Sequence, residues 1–145
     1  MKERFETFTT LITKINRNIR KIKNQEMAEY DLRSTHVSCL YYLYAFESLT
    51  ATDLCEHCEE DKASISRALE FLKLRGYVTC ASNSAKRYKS QLFLTEQGKE
   101  IGKKVYDKVD QALEAVGAGL SEEERVAFYC SLSKISENLE HLTNS

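Results

Sequence analysis

Phe5, Phe8, Ile12, Ile15, Ile19 and Ile22 follow one another at spacings of 3, 4, 3, 4 and 3. Only a helix brings such positions onto one narrow stripe, so the pattern predicts a helix over roughly residues 3–24 with an apolar seam. Lys14, Arg17, Arg20, Lys21 and Lys23 lie between the apolar positions and make the opposite face basic. The far end of the chain repeats the device: Phe128, Leu132, Ile135, Leu139 and Leu142 are spaced 4, 3, 4 and 3. Ser121, with Glu124 three residues on, has the form of a capping box that starts this last helix. A third helix follows Thr95, carries Ile101, Val105, Val109, Ala112 and Val116 on one stripe, and stops near Gly117 and Gly119. Proline is absent and only five of 145 residues are glycine, which favours a largely helical chain with few irregular connections. Three long seams offer more apolar surface than a compact middle domain needs. They predict helices that pair across a homodimer, with ordinary packing inside one chain as the alternative.

The length fits one domain with helical extensions. At 42% hydrophobic and 30% charged residues, the composition is that of a soluble globular chain with a real core. No apolar run reaches the length of a membrane span, and Lys2, Glu3, Arg4 and Glu6 interrupt any signal-peptide pattern. Five cysteines, an odd number in a chain too large to need staples, read as reduced thiols in the cytoplasm. The net charge of −1 is unevenly spread. Residues 61–91 hold seven basic and two acidic side chains, a net of +5, so the remainder carries −6. A basic island on an acidic body suits an anionic partner.

The middle of the chain changes rhythm. Val37, Leu40, Leu43 and Tyr44 mark a helix over about 35–47. Thr50 and Asp53 form a second box-like start, for a short helix over 51–58. Asp61 is placed to cap a third, with Ile65, Ala68, Leu69 and Leu72 inward and an end at Gly76. Two β-prone runs, YVTCA (77–81) and QLFLT (91–95), flank the polar stretch SNSAKRYKS (82–90). Helix, helix, helix, strand, polar loop, strand is the order of a winged helix-turn-helix. The expected fold is therefore mainly α with a small two- or three-stranded β-wing. Residues 32–96 form the winged helix-turn-helix, and residues 1–31 and 97–145 the N- and C-terminal dimerisation helices.

In a helix-turn-helix the second short helix enters the major groove and its first residues meet base edges. Here those are Lys62, Ala63, Ser64, Ser66 and Arg67, turned away from the core positions. Small residues let the helix sit deep, hydroxyls donate or accept, and Arg67 is able to fork onto guanine or clamp a phosphate. Lys86, Arg87 and Lys89 fall at the wing tip, where an arginine reads the negative potential of a narrow minor groove. Lys73 and Arg75, at the far end of the reading helix, have a simpler role open to them as complements to the helix dipole. Surface pairing of Arg67 with Glu70 or Asp61 is the alternative to a DNA contact.

These stretches together resemble the MarR family of bacterial transcription regulators. LTATDLCEHCEEDKASISRALEFLKLRGYV (49–78) is similar to the family's helix-turn-helix, with Ser66-Arg67 and the Leu72…Gly76-Tyr77-Val78 ending in place. KRYKSQLFLTEQGKEI (86–101) is similar to its wing and the start of the next helix, most recognisably in LTEQG. The resemblance spans nearly the whole chain. It implies a homodimer that binds a pseudo-palindromic operator in double-stranded DNA, usually as a repressor, and is released by a small molecule or an oxidant. Two departures stand out. The family's Asp-Arg-Arg in the wing is Lys86-Arg87-Tyr88 here, so only Arg87 matches. Glu59 and Glu60 occupy the turn where a glycine and an apolar residue are commoner, and two acids there weaken DNA binding unless they point away.

Cys55, His57 and Cys58 look like half a metal site, and a regulator responsive to metal or thiol redox through them is the competing reading. A structural zinc site needs four ligands, however, and no second CxxC or HxxxH completes one. Cysteine packs as a small hydrophobe, so Cys55 and Cys58 are expected to fill core positions, Cys39 and Cys80 to face inward, and Cys130 to lie off its helix's seam. No metal or cofactor is expected. By the resemblance, the effector pocket lies between dimerisation helices and DNA-binding domain. Tyr30, Arg33, His36 and Tyr41 are the candidates to line it for a small aromatic ligand, with plain packing as the alternative. A winged-helix interaction module that has lost DNA binding is a further reading. No phosphate loop, nucleophile elbow or acid pair suggests an enzyme.

Overall fold

The computed structural model describes residues 2–81 and 89–144, with the backbone alone at Lys2 and Phe5. Helix α1 spans Lys2–Glu26 and leads through a 3-10 turn, Ala28–Tyr30, to α2, Ser34–Phe46. Strand β1, Ser48–Leu49, precedes α3, Ala51–Cys58, and α4, Lys62–Leu74. Strands β2, Val78–Cys80, and β3, Leu92–Leu94, are followed by α5, Glu96–Val116, and α6, Glu122–Thr143. The sheet is antiparallel in the order β1-β3-β2. Its register pairs Val78 with Leu94, Thr79 with Phe93 and Cys80 with Leu92, and Ser48 with Phe93 on the other edge. This is the winged helix-turn-helix with flanking long helices that the sequence predicts. β1 and the 3-10 turn are additions. A two-residue strand has no room to show an alternating pattern.

Contacts divide the chain into two units, Met1–Lys108 and Val109–Ser145, each a separate packing problem. In the first, the core gathers where α2, α3, α4 and the sheet meet. Leu40, Leu43, Leu54, Ile65, Leu72 and Leu92 are fully buried there, and Ile101 and Val105 of α5 are buried as well. Helices α3 and α4 stand where their caps put them. Thr50 Oγ1 accepts from the Asp53 amide at 3.1 Å, and an Asp53 carboxylate oxygen accepts from the Thr50 amide at 2.9 Å. At Asp61 an Oδ accepts from the Ser64 amide at 2.7 Å. The seam of α1 stays open: Phe8, Ile12, Ile15, Ile19 and Ile22 are 39–49% exposed.

The second unit holds the end of α5 and all of α6. Ser121 Oγ accepts from the Glu124 amide at 3.1 Å, and Arg125 pairs with Glu114 at 3.8 Å. None of α6 is buried, so Phe128, Ile135, Leu139 and Leu142 form an uncovered stripe. The stripe of α5 grades along its length, from buried Ile101 and Val105 to Val116, which is 71% exposed.

Strand β3 enters α5 through a tight junction. The Thr95 amide donates to Tyr77 O at 3.0 Å, its hydroxyl donates to Gly76 O, and its Oγ1 accepts from the Gly98 amide at 3.0 Å. Thr95 thus caps α5 while holding the end of α4 and the start of β2. Gly98 faces the Tyr77 carbonyl so closely that a Cβ would overlap it. That explains LTEQG as a packing motif. Gly98→Ala therefore forces backbone apart. It is expected to cost about 1–3 kcal/mol, read as a lower thermal midpoint, with the helical signal retained.

Candidate nucleic-acid interface

Helix α4 buries Ile65, Ala68, Leu69 and Leu72 and turns Lys62, Ala63, Ser66 and Arg67 to solvent, with Ser64 half-buried. The period of the buried residues produces this division: positions three and four apart fill the core stripe and leave a polar stripe opposite. The guanidinium of Arg67 donates to Ser64 Oγ at 3.3 Å and, among the described residues, makes no ion pair with Glu70 or Asp61. The surface-pairing alternative for Arg67 is thus not what the structure shows. Ser64 and Arg67 are brought together, and Ser66 stands beside them on the exposed face.

At the other end of α4, Arg75 has a structural role. Its Nη2 lies 3.0 Å from Asp31 Oδ2, and its guanidinium sits over the Phe71 ring at 4.8 Å from the centroid. Lys73 remains exposed in the last turn. The hairpin stem runs through Cys80–Leu92 to Ala81, whose amide donates to Gln91 O at 3.0 Å. Lys89 is exposed at its base. Lys86 and Arg87 lie outside the described residues.

The turn between α3 and α4 holds three acids, and two of them are engaged. Glu59 adopts a left-handed conformation, φ 54°, and is exposed. Glu60 pairs through Oε1 with Arg20 Nη2 of α1 at 3.6 Å, and Asp61 caps α4. The hydrogen bonds from Ser64 hold the Asp61 carboxyl below its ordinary pKa, and those from Thr50 do the same for Asp53.

The matching comparisons bear on this arrangement. The family model described as MarR family matches residues 30–87, which hold α2, α3, α4 and β2. Through these residues the chain is similar to the MarR family of transcription regulators. A relative from Bacillus subtilis (strain 168), the uncharacterized HTH-type transcriptional regulator YybA, is 23% identical over 126 residues, covering 87% of this chain and 84% of that one. The structure of MepR from S. aureus in its DNA-binding conformation is similar with a TM-score of 0.81 at 20% identity, over 91% of this chain and 98% of that one. The S. aureus MepR–DNA complex gives a TM-score of 0.78 at 21% identity, over 91% and 97%. At these identities the structures testify to the fold.

The four candidate effector residues go to different neighbours. Tyr30 and Tyr41 meet α5: Lys104 Nζ donates to the Tyr30 hydroxyl at 3.2 Å, and the Tyr41 ring stacks on Tyr106 at 5.4 Å. His36 instead stacks on Phe71 of α4 at 4.3 Å, its Nδ1 accepts from the Arg33 amide at 3.0 Å, and burial lowers its pKa. Arg33 is the exposed N-cap residue of α2. A cleft of about 570 Å³ opens elsewhere, at the other end of α2, between Leu43, Tyr44, Glu47, Phe93, Leu94 and Lys99.

The cysteines separate by environment. Cys39 is fully buried and its thiol interacts with that of Cys58, half-buried at the end of α3. Cys55 is half-buried also. The His57 ring stacks 5.0 Å from both Tyr42 and Phe46, and no cluster of three metal-ligating side chains occurs among the described residues. The metal or redox reading through Cys55, His57 and Cys58 gains no support. Cys80 corrects the expectation that it faces inward: it is exposed. It shares its strand face with buried Val78 and pairs with buried Leu92, but stands at the last position of a three-residue strand. Cys130 is exposed, off its seam.

The depressed pKa of Asp61 carries a sign. Its capping interaction stabilises the fold at pH above the unfolded carboxyl's pKa and is lost as pH falls through the lower, folded pKa. Asp61→Ala should therefore lower the thermal midpoint at neutral pH. The gap to wild type should close on acidification through the carboxylate range, as followed by circular dichroism.

Proposed function

We propose that this chain is a DNA-binding transcription regulator that acts as a homodimer on a pseudo-palindromic operator, as a repressor, and releases DNA when a small aromatic effector binds. The observation that carries the reading is α4 itself. Its apolar stripe is locked into the core, and its first two turns offer Lys62, Ala63, Ser64, Ser66 and Arg67 with the Arg67 guanidinium held by a serine rather than by an acid. Such a helix suits base edges in a major groove. Lys86, Arg87 and Lys89 are the proposed wing contacts. Residues 32–96 are the proposed reading domain, and residues 1–31 and 97–145 the dimerisation region. The half-exposed isoleucines of α1 and the uncovered stripe of α6 support that assignment, because apolar surface in rows marks contact with another chain. Tyr30 in the turn before α2 and Tyr41 on α2 meet α5, and His36 on α2 meets α4, which gives an effector bound beside α2 a route to the reading helix.

Binding to DNA from upstream of its own coding sequence, followed by fluorescence anisotropy over a salt series, tests the reading. Arg67→Ala should weaken binding by about 1–3 kcal/mol and relax sequence preference, whereas Arg87→Ala should weaken it evenly across sequences. Unchanged binding by the double variant would remove both from the DNA surface. In sedimentation equilibrium the wild type should be dimeric, and Ile15→Asp with Ile19→Asp monomeric. A wild-type monomer would overturn the homodimer.

A further inference from the structure

The turn before the reading helix places Glu59, Glu60 and Asp61 in succession. In a docked helix-turn-helix the first helix crosses the DNA backbone and the second meets the bases, so the turn between them runs beside phosphates. An uncompensated carboxylate there opposes binding. Asp61 is committed to the α4 cap. Glu60 is directed inward, its side chain 21% exposed, to a partner forty residues earlier: Arg20 of α1, which is 60% exposed. Lys23, one turn further along α1, is half-buried and donates to Ser38 Oγ of α2 at 3.0 Å. Its ammonium also feels the Glu60 charge. The Lys23–Ser38 bond fixes this part of α1 on α2, and Arg20 is thereby held over the turn.

An ion pair this exposed contributes little to folding. Its consequence is electrostatic and positional. We propose that Arg20 is a positioning residue for DNA binding: it holds and neutralises Glu60, keeps that carboxylate off the phosphate path, and so makes the N-terminal helix part of the reading head. The proposal rests on the reading that α4 docks on DNA. It also accounts for an acid at a position where the family's pattern has an apolar residue. The turn tolerates Glu60 because α1 supplies the counter-charge, and any shift of α1 that parts the two exposes a negative charge to DNA.

A double-mutant cycle tests this with the upstream DNA described above and an unrelated duplex of equal length. One unit charge a few ångströms from a phosphate in water changes affinity by about fivefold. Arg20→Gln should therefore weaken binding to both duplexes by about fivefold, with the thermal midpoint and the dimer unchanged. Arg20→Lys should retain most of the affinity. Glu60→Gln should bind at least as tightly as wild type, and the Arg20→Gln, Glu60→Gln pair should bind like Glu60→Gln alone. If the pair remains as weak as Arg20→Gln, Arg20 touches phosphate itself and the proposal is wrong. No effect of Arg20→Gln overturns it equally. Arg67→Ala runs beside these variants as a control. If wild type binds neither duplex, the α4 reading fails and takes this one with it. If wild type binds and Arg67→Ala weakens it while Glu60→Gln gives no rescue, only the role of Arg20 falls.

Discussion

Thr95 and Gly98 sit where three elements converge, and the placement of α4 depends on them. One side chain receives the Gly98 amide and donates to the Gly76 carbonyl, and the Thr95 amide reaches Tyr77. The end of α4, the first strand of the hairpin and the first turn of α5 are therefore one joint. Gly98 permits the backbones to touch. A looser joint would remove backbone hydrogen bonds that tie the end of α4 to β2 and α5. The direction in which Arg67 points is set, in this sense, thirty residues away.

Electrostatics divides the basic residues into those with structural work and those left for a partner. Arg75 is held by Asp31 and Phe71, and Arg20 by Glu60. Arg67 donates to a neutral hydroxyl and, among the described residues, makes no ion pair. A count of lysines and arginines along the sequence cannot make this distinction, because the partners lie on other elements. The local net charge of the 61–91 segment is correct as arithmetic, yet overstates what is available to a polyanion.

Helices and their starts were legible because their causes are local. The 3.6-residue period and side-chain caps operate within a few positions, and α3 begins and ends where Thr50, Asp53 and the apolar spacing predict. The stripe of α4, and with it the exposure of Lys62, Ala63, Ser66 and Arg67, follows from the same period. What escaped was non-local or too short to have a pattern. β1 has two residues and exists by pairing with β3. Cys80 alternates correctly with Val78 but is exposed at the end of its strand, where period alone does not fix burial. Tyr30, Arg33, His36 and Tyr41 are close in sequence, yet one lies in the 3-10 turn, one caps α2 and two lie on α2, and their neighbours belong to α4 and α5, which no local pattern announces. The Arg20–Glu60 pair joins two helices with no motif between them, and only the unusual acid in the turn hinted at it.

The isoleucines of α1, each a little less than half exposed, would have a consequence beyond association in the proposed homodimer. A surface that is covered only by a second copy ties folding to abundance through mass action, since whatever binds the native state alone adds to its stability. A chain that depended on such a copy would be least secure when newly made and scarce. In a cell that is when proteases meet it. Turnover would then set a floor under the working amount of such a protein, giving it a threshold in concentration that no residue of the reading helix encodes.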